Sequence, residues 1–341
     1  MGLFLLGTII VVGNTIIMPL LMAFFFSLML LPLFRFFKKI KLPESLAIFI
    51  PILLLTITVA FIIWIFSTQV TSLLDDFPQI QRTVARHLDN LSLWISKSFG
   101  YSPEEQLKFI NEQSKKFFSS IGGLLSGAAG SLSGIIIFIG LLPIYIYLII
   151  LYRNLFLKFI LMWFKPAEHL NVEEGIRETE KMVKSYLLGL LIQISYIIIL
   201  LGGALWLFGI QNALLIGIIF AFLNLIPYLG ALIGNIIGVL LTLASSERLM
   251  DILIVLAAIT FVQFLDNNIL MPRIVGSQIK INPLTSIVGI ILGGAMAGLS
   301  GMFLAMPVLS VLKIMFDRSE NYKQWGVLLG DSRPDKSPMK L

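Results

Sequence analysis

Cysteine is absent from the 341 residues, so disulfides and thiolate metal sites are excluded. Only two histidines occur, His87 and His169, far apart and in polar segments, which is no metal-ligand spacing. Charge is scarce as well. Asp, Glu, Lys and Arg make up 13% of the chain, about half the usual share of a soluble domain. What charge there is leaves long gaps: none falls in 117–152, 185–246 or 281–312. No Gly-x-x-x-x-Gly-Lys-Ser/Thr loop and no His/Asp/Ser set is present, so neither a nucleotide-driven pump within this chain nor a familiar catalytic arrangement is expected. Segments of about ten alternating residues are also missing, which excludes a membrane β-barrel.

What is present is apolar. Hydrophobic residues make up 57% and mean hydropathy is +0.95. A spanning helix needs roughly 20 apolar residues, so the charge-free runs hold several spans. The expected fold is an all-α, polytopic helical membrane protein with about eight transmembrane helices, including or adjoining a re-entrant or broken hairpin, and one extramembrane helical insertion. The net charge of +6 does not point to nucleic acid, because the basic residues stand at the ends of apolar runs, where they anchor helices.

Residues 1–68 hold the N-terminal transmembrane helices: a short helix over 3–17, a break at Met18-Pro19, a second helix over 20–37, and a span over 46–66. The N-terminal run lacks a basic start and a small-residue cleavage site, so it reads as a retained helix. Residues 69–120 carry six basic and six acidic residues with apolar positions at helical spacing (Ile80, Val84, Leu88, Leu91), an extramembrane amphipathic domain. Residues 121–316 form the transport domain. Within it, 166–184 reads as a helix at the cytoplasmic surface, and 185–208 as a span holding Gln193, Ser195 and Tyr196. Residues 211–245 are a hairpin of two arms, each short for a full span. Residues 317–341 read as a polar, disordered cytoplasmic tail. The basic clusters at 35–41, 153–184 and 273–280 fall on the cytoplasmic side and 69–120 on the other.

Two stretches carry the candidate chemistry. Asp266 is the only acidic residue well inside an apolar segment, and in an α-helix Gln263, Asp266 and Asn267 share one face. An Asp at mid-membrane costs roughly 2.5–3.5 kcal/mol on insertion scales, so it should face protein or a wet cavity. Asp266 is then a proton or cation site or an anchor for a hydrophilic solute. The structural alternative has it reach water at a cytoplasmic end or pair with Arg273. The hairpin turn is broken by Asn224, Pro227, Tyr228 and Gly230, with Gly234 continuing a four-residue glycine repeat. Its freed backbone groups, with Asn224 and Tyr228, could bind a polar solute or only hold the turn. Pro272, Gly276 and Pro283 punctuate the next loop as hinge or structural positions.

Several of these segments together resemble a known family. Pro227-Tyr-Leu-Gly-Ala-Leu-Ile-Gly234, Asp266-Asn-Asn-Ile-Leu-Met-Pro-Arg-Ile-Val-Gly276, Asn282-Pro283, Gly293-Gly-Ala and Ala305-Met-Pro307 are similar to the autoinducer-2 exporter family of bacterial membrane proteins, over roughly residues 10–316. The resemblance implies a multi-pass secondary transporter of the bacterial cytoplasmic (inner) membrane. It further implies a small hydrophilic solute or cation as cargo, no cofactor, and a homo-oligomer, pentamers included. Export of the quorum-sensing signal autoinducer-2 is the leading function. Sodium or lithium exchange for protons at Asp266 is the alternative, and a non-transporting membrane scaffold working through 69–120 is the third.

Overall fold

The computed structural model describes residues 12–99, 132–227, 229–246, 248–274 and 281–331. Every extended element among them is helical; the one β-type contact is an isolated antiparallel bridge between Ile281 and Gly330. In order, the helices are α1 (Asn14–Lys39), α2 (Glu44–Phe99), α3 (Leu132–Leu151), α4 (Arg153–Leu161), α5 (His169–Ile197), α6 (Gly203–Leu207), α7 (Ala213–Leu223), α8 (Leu229–Ser245), α9 (Leu249–Leu265), α10 (Met271–Ile274), α11 (Pro283–Asp317) and α12 (Lys323–Leu329). Among the described residues five stretches are long and apolar enough to cross a membrane: Asn14–Lys39, Glu44–Ile65, Pro166–Leu207, Met250–Arg273 and Pro283–Asp317. A sixth is the bent pair α3–α4 taken as one, and two shorter apolar helices lie at Ala213–Leu223 and Leu232–Leu243.

Several boundaries differ from those expected. Met18-Pro19 does not break a helix: α1 runs through Pro19 and Pro32. Proline is tolerated inside membrane helices because neighbouring helices and local adjustments of winding re-satisfy the freed backbone groups. An apolar stretch fit to cross a membrane lies at Glu44–Ile65, close to the expected 46–66, but its helix does not end there: α2 continues unbroken to Phe99. Its 56 residues extend roughly 84 Å at the α-helical rise, far beyond a hydrocarbon core of about 30 Å. The remainder of the 69–120 segment, from residue 100 on, lies outside the described residues. The surface helix expected at 166–184 is not separate either. It and the following span are one helix, α5, which runs unbroken through Gly175 and through the change from polar to apolar composition. The tail is ordered through residue 331, with α12 packed on α11. Prolines 334 and 338, which argued for disorder, lie beyond the described part.

The chain divides into two compact units. The first comprises Met1–Ile57, Ile137–Leu191 and Met271–Leu341. Its α11 is a hairpin rather than a rod: Ala297 (φ −147°, ψ 23°) and Gly298 (φ 59°, ψ −141°) leave helical geometry and the chain doubles back. Gly289 then lies against Leu309, Gly293 against the backbone of Gly301, and Gly294 against Met302, which is the pairing of antiparallel arms. Asn282 starts the hairpin. Its Oδ1 accepts the Thr285 amide at 2.8 Å, with Pro283 in the first turn, where the missing N–H costs nothing. Arginines tie the polar ends together: Arg35 donates to both carboxylate oxygens of Glu180 (2.8 and 2.9 Å), and Arg318 to Glu174 (3.1 Å) and Glu178 (3.0 Å).

The second unit comprises Thr58–Ile136 and Ile192–Leu270. Its centre is a dry cluster from α5, α6, α7 and α9, including Ile197, Leu201, Leu205, Ile216, Phe220, Val255 and Ile259. The expected hairpin is present as α7 and α8. Gly230 sits against the Leu223–Asn224 backbone, Gly234 under the Phe220 ring and Gly238 against Ile216 and Ile259. The glycine repeat is thus a packing seam, which lets two helices approach where any side chain would collide.

Candidate functional site

The seam fixes the place where α7 ends. Asn224 caps α7, and Gly230 presses on its backbone, so the Asn224 side chain is set by the hairpin tip. It is buried, 8% exposed. Two further polar side chains arrive from α5: Gln193 and Tyr196, three residues apart and therefore on one helix face. Immediately after them the helix loosens into a π turn, Ile198–Gly202, where Gly202 meets Gly217 of α7 backbone to backbone.

Asp266 comes from a third direction. It opens a second π turn, Asp266–Leu270, at the end of α9. Regular winding would keep Gln263, Asp266 and Asn267 together, but the wider turn separates them. Gln263 donates to Asn267 at 3.1 Å, and Asn267 is exposed. Asp266 turns inward and is 2% exposed. Its Oδ1 accepts the Tyr196 hydroxyl, and its Oδ2 accepts Gln193 Nε2 at 2.8 Å and Asn224 Nδ2 at 3.0 Å. π turns are frequent at functional sites, and here one follows Gln193 and Tyr196 on α5 and another begins at Asp266.

The electrostatics follow from the donor set. Each hydrogen bond to a carboxylate contributes about 1.5–3 kcal/mol, and three of them offset much of the cost of burial. None of the three donors is charged. A carboxylate held only by neutral donors in an apolar housing has no charged partner to balance it, which leaves room for a small cation. Beside it, Gln193 Oε1 is buried with no hydrogen-bond partner among the described residues. The cluster therefore offers one carboxylate and one open carbonyl acceptor, suited to a cation or a hydroxyl-rich solute.

Of the residues singled out from sequence, Asp266 and Asn224 meet directly. Gln263 and Asn267 pair with each other instead, and the water-reaching and Arg273-paired alternatives for Asp266 give way to the three neutral partners. Pro227 lies half-buried in the hairpin turn and Gly234 in the seam. Pro272 is exposed within α10, and Pro283 is the first-turn residue of α11. Tyr228 and Gly276 lie outside the described residues. Gln193 and Tyr196 were noticed in the sequence only as polar residues within a span. Their signal was the spacing of three inside the longest charge-free run.

A family model described as AI-2E family transporter matches residues 1–321. Similar proteins include YrrI of Bacillus subtilis (strain 168), 26% identical over 310 residues that cover 89% of this chain and 86% of that one. YhhT of Escherichia coli (strain K12) is 24% identical, covering 94% and 89%. The AI-2 transport protein TqsA of Escherichia coli (strain K12) is 24% identical over 318 residues, covering 93% and 90%. With a near full-length family match and several helices fit to cross a bilayer, the chain is a multi-pass membrane protein that belongs to the AI-2E family of transporters.

Proposed function

We propose that this protein is a secondary exporter of the bacterial inner membrane, that its cargo is a small hydrophilic solute, and that the Asp266 cluster is where cargo or coupling ion is held. The observation that carries this reading is the buried carboxylate whose partners, Gln193, Tyr196 and Asn224, are all neutral. A purely structural polar cluster would gain nothing from a net charge, whereas a transporter needs a group that can exchange partners. Autoinducer-2 is the first solute to try. It is the compound in the name of the relative TqsA, and an array of amides, a phenol and a carboxylate suits a small hydrophilic solute. Homo-oligomeric assembly, with the pentamer as the expected form, belongs to the same reading.

The test is uptake into everted vesicles or proteoliposomes containing the full chain, using autoinducer-2, sodium and lithium with and without an imposed pH gradient. Autoinducer-2 accumulation that depends on the protein and is lost in Asp266→Asn supports the reading. Accumulation equal to that of empty vesicles sinks the autoinducer-2 assignment.

The second reading is sodium or lithium exchange for protons at Asp266. It is favoured by the unpartnered Gln193 Oε1 beside the carboxylate, since a carbonyl and a carboxylate together are hard oxygen ligands suited to such ions. Here a pH gradient drives cation movement with no solute present. Retention of that exchange by Asp266→Asn rules the site out.

A further inference from the structure

The bent pair α3–α4 holds a feature that transport at Asp266 does not use. The chain turns by 60° between Gly140–Leu151 and α4, with Tyr152 (φ −92°, ψ 13°) out of helical geometry at the corner. The corner is clamped. Arg153 donates to Glu44 at 3.1 Å and to the Ile150 carbonyl at 2.8 Å, and its guanidinium lies 4.5 Å from the centre of the Phe34 ring. A spanning helix clamped into such a bend directs α4 away from its own axis.

The two faces of α4 then differ. One carries Leu155, Phe156, Phe159 and Ile160, with Trp163 following at the same spacing, all exposed. Large side chains left outside on one helical face, with an indole at the end, suit the boundary between headgroups and acyl chains. The opposite face forms one wall of an open cavity of about 540 Å³, closed by the start of α5. The cavity is lined by Leu157, Leu161, Met162 and Phe164, with Lys158 and His169 as its titratable groups and no carboxylate. Among the described residues Lys158 has no ion-pair partner. The nearby Glu168 carboxylate accepts the Lys165 amide at 3.1 Å, which ties it to its own turn.

An apolar cleft with a single unpaired cation, set against a helix whose other face is fit for lipid, has the chemistry of an anionic phospholipid. We infer that this cavity is a binding site for one anionic phospholipid, its phosphate on Lys158 and its acyl chains along Leu157, Leu161 and Phe164. A zwitterionic lipid brings its own cation next to Lys158 and fits less well. A soluble anion leaves the apolar wall uncovered.

Native mass spectrometry of the full chain, released from mild detergent after incubation with phosphatidylglycerol or phosphatidylcholine of the same acyl composition, reads this directly. The expected result is phosphatidylglycerol retained at least five-fold over phosphatidylcholine. Lys158→Glu and Lys158→Gln should abolish that preference, while Lys158→Arg and the remote Lys181→Glu should keep it. Equal retention of the two lipids overturns the inference, as does a preference that survives both Lys158→Glu and Lys158→Gln. Displacement of the lipid by millimolar inorganic phosphate also overturns it, since that describes a phosphate site. A change of subunit number with unchanged lipid retention overturns it too, since the face would then be a contact between copies.

Discussion

Two helical hairpins can be set side by side in this chain. The α7–α8 hairpin and the α11 hairpin both close on a glycine seam, Gly230, Gly234 and Gly238 in one, Gly289, Gly293 and Gly301 in the other. Their tips are opposites. The first ends in Asn224, buried and bonded to Asp266. The second ends in Ala297–Gly298, where Gly298 takes a positive φ, is exposed and has nothing within 4 Å of where a side chain would begin. The same seam thus supports two different tasks. A glycine stripe accounts for close packing in both arms and says nothing about chemistry. The chemistry lies in whether the tip carries a polar side chain and whether a neighbouring helix presents a group to meet it.

Substitutions at matched positions sharpen that contrast. The largest effect is expected at Gly230→Val, where the new side chain meets the Leu223–Asn224 backbone and neither can move aside. Fluorescence-detected size exclusion should show loss of the folded peak, and a well-folded variant would break the seam argument. Next comes the charge at the first tip. Asp266→Asn keeps shape and most hydrogen bonds but removes the charge, so transport should fall at least 100-fold while the thermal midpoint changes little. Asp266→Ala strands three donors at about 1–3 kcal/mol each, so its midpoint in detergent should drop clearly below that of Asp266→Asn. Asn224→Ala removes one charge-assisted bond and should cost about 1.5–3 kcal/mol, with transport weakened rather than lost.

At the second tip, Gly298→Ala meets open space but a backbone region that suits glycine. It should cost about 1–3 kcal/mol in stability, with cargo specificity unchanged. A change in specificity there would give the two tips equal standing. The smallest effect is expected at Arg318→Gln. Its ion pairs to Glu174 and Glu178 are partly exposed, so the loss should stay within about 1 kcal/mol and shrink further in high salt, measured by thermal melts at two ionic strengths.

Much of this architecture was legible from residue pattern. The charge-free runs give the membrane class, and Gly230, Gly234 and Pro227 mark the first hairpin. Gly289/Gly293 and Gly294/Gly298 marked the second as a short glycine-rich helix followed by another, though not as arms packed on each other. Other features were hidden for identifiable reasons. Pro19 reads as a breaker because local sequence does not record the neighbours that hold α1 through it. The polarity switch at residue 185 reads as a boundary, although helical propensity is continuous there. At the site, Asp266 and Asn224 stood out as polar residues in apolar surroundings. Gln193 and Tyr196 did not, because amides and phenols are common in spans and only tertiary contact gives them a role. The separation of Asp266 from Gln263 and Asn267 was invisible, since a π turn has no clear sequence signature and a helical wheel assumes uniform winding.

The clasp at Asn282 has a consequence in time rather than in space. While its Oδ1 starts the α11 hairpin, its Nδ2 donates to the carbonyls of Leu328 and Gly330, and its backbone amide to Leu329. The Leu328 partner lies 46 residues later in the chain. At about 5–20 residues per second of synthesis, roughly 2–9 s pass between the making of Asn282 and the arrival of Leu328. Within that interval only the Thr285 partner of the Asn282 side chain has been made. The clasp is thus the last of these contacts to become available, after both arms of α11 and most of α12 have been made.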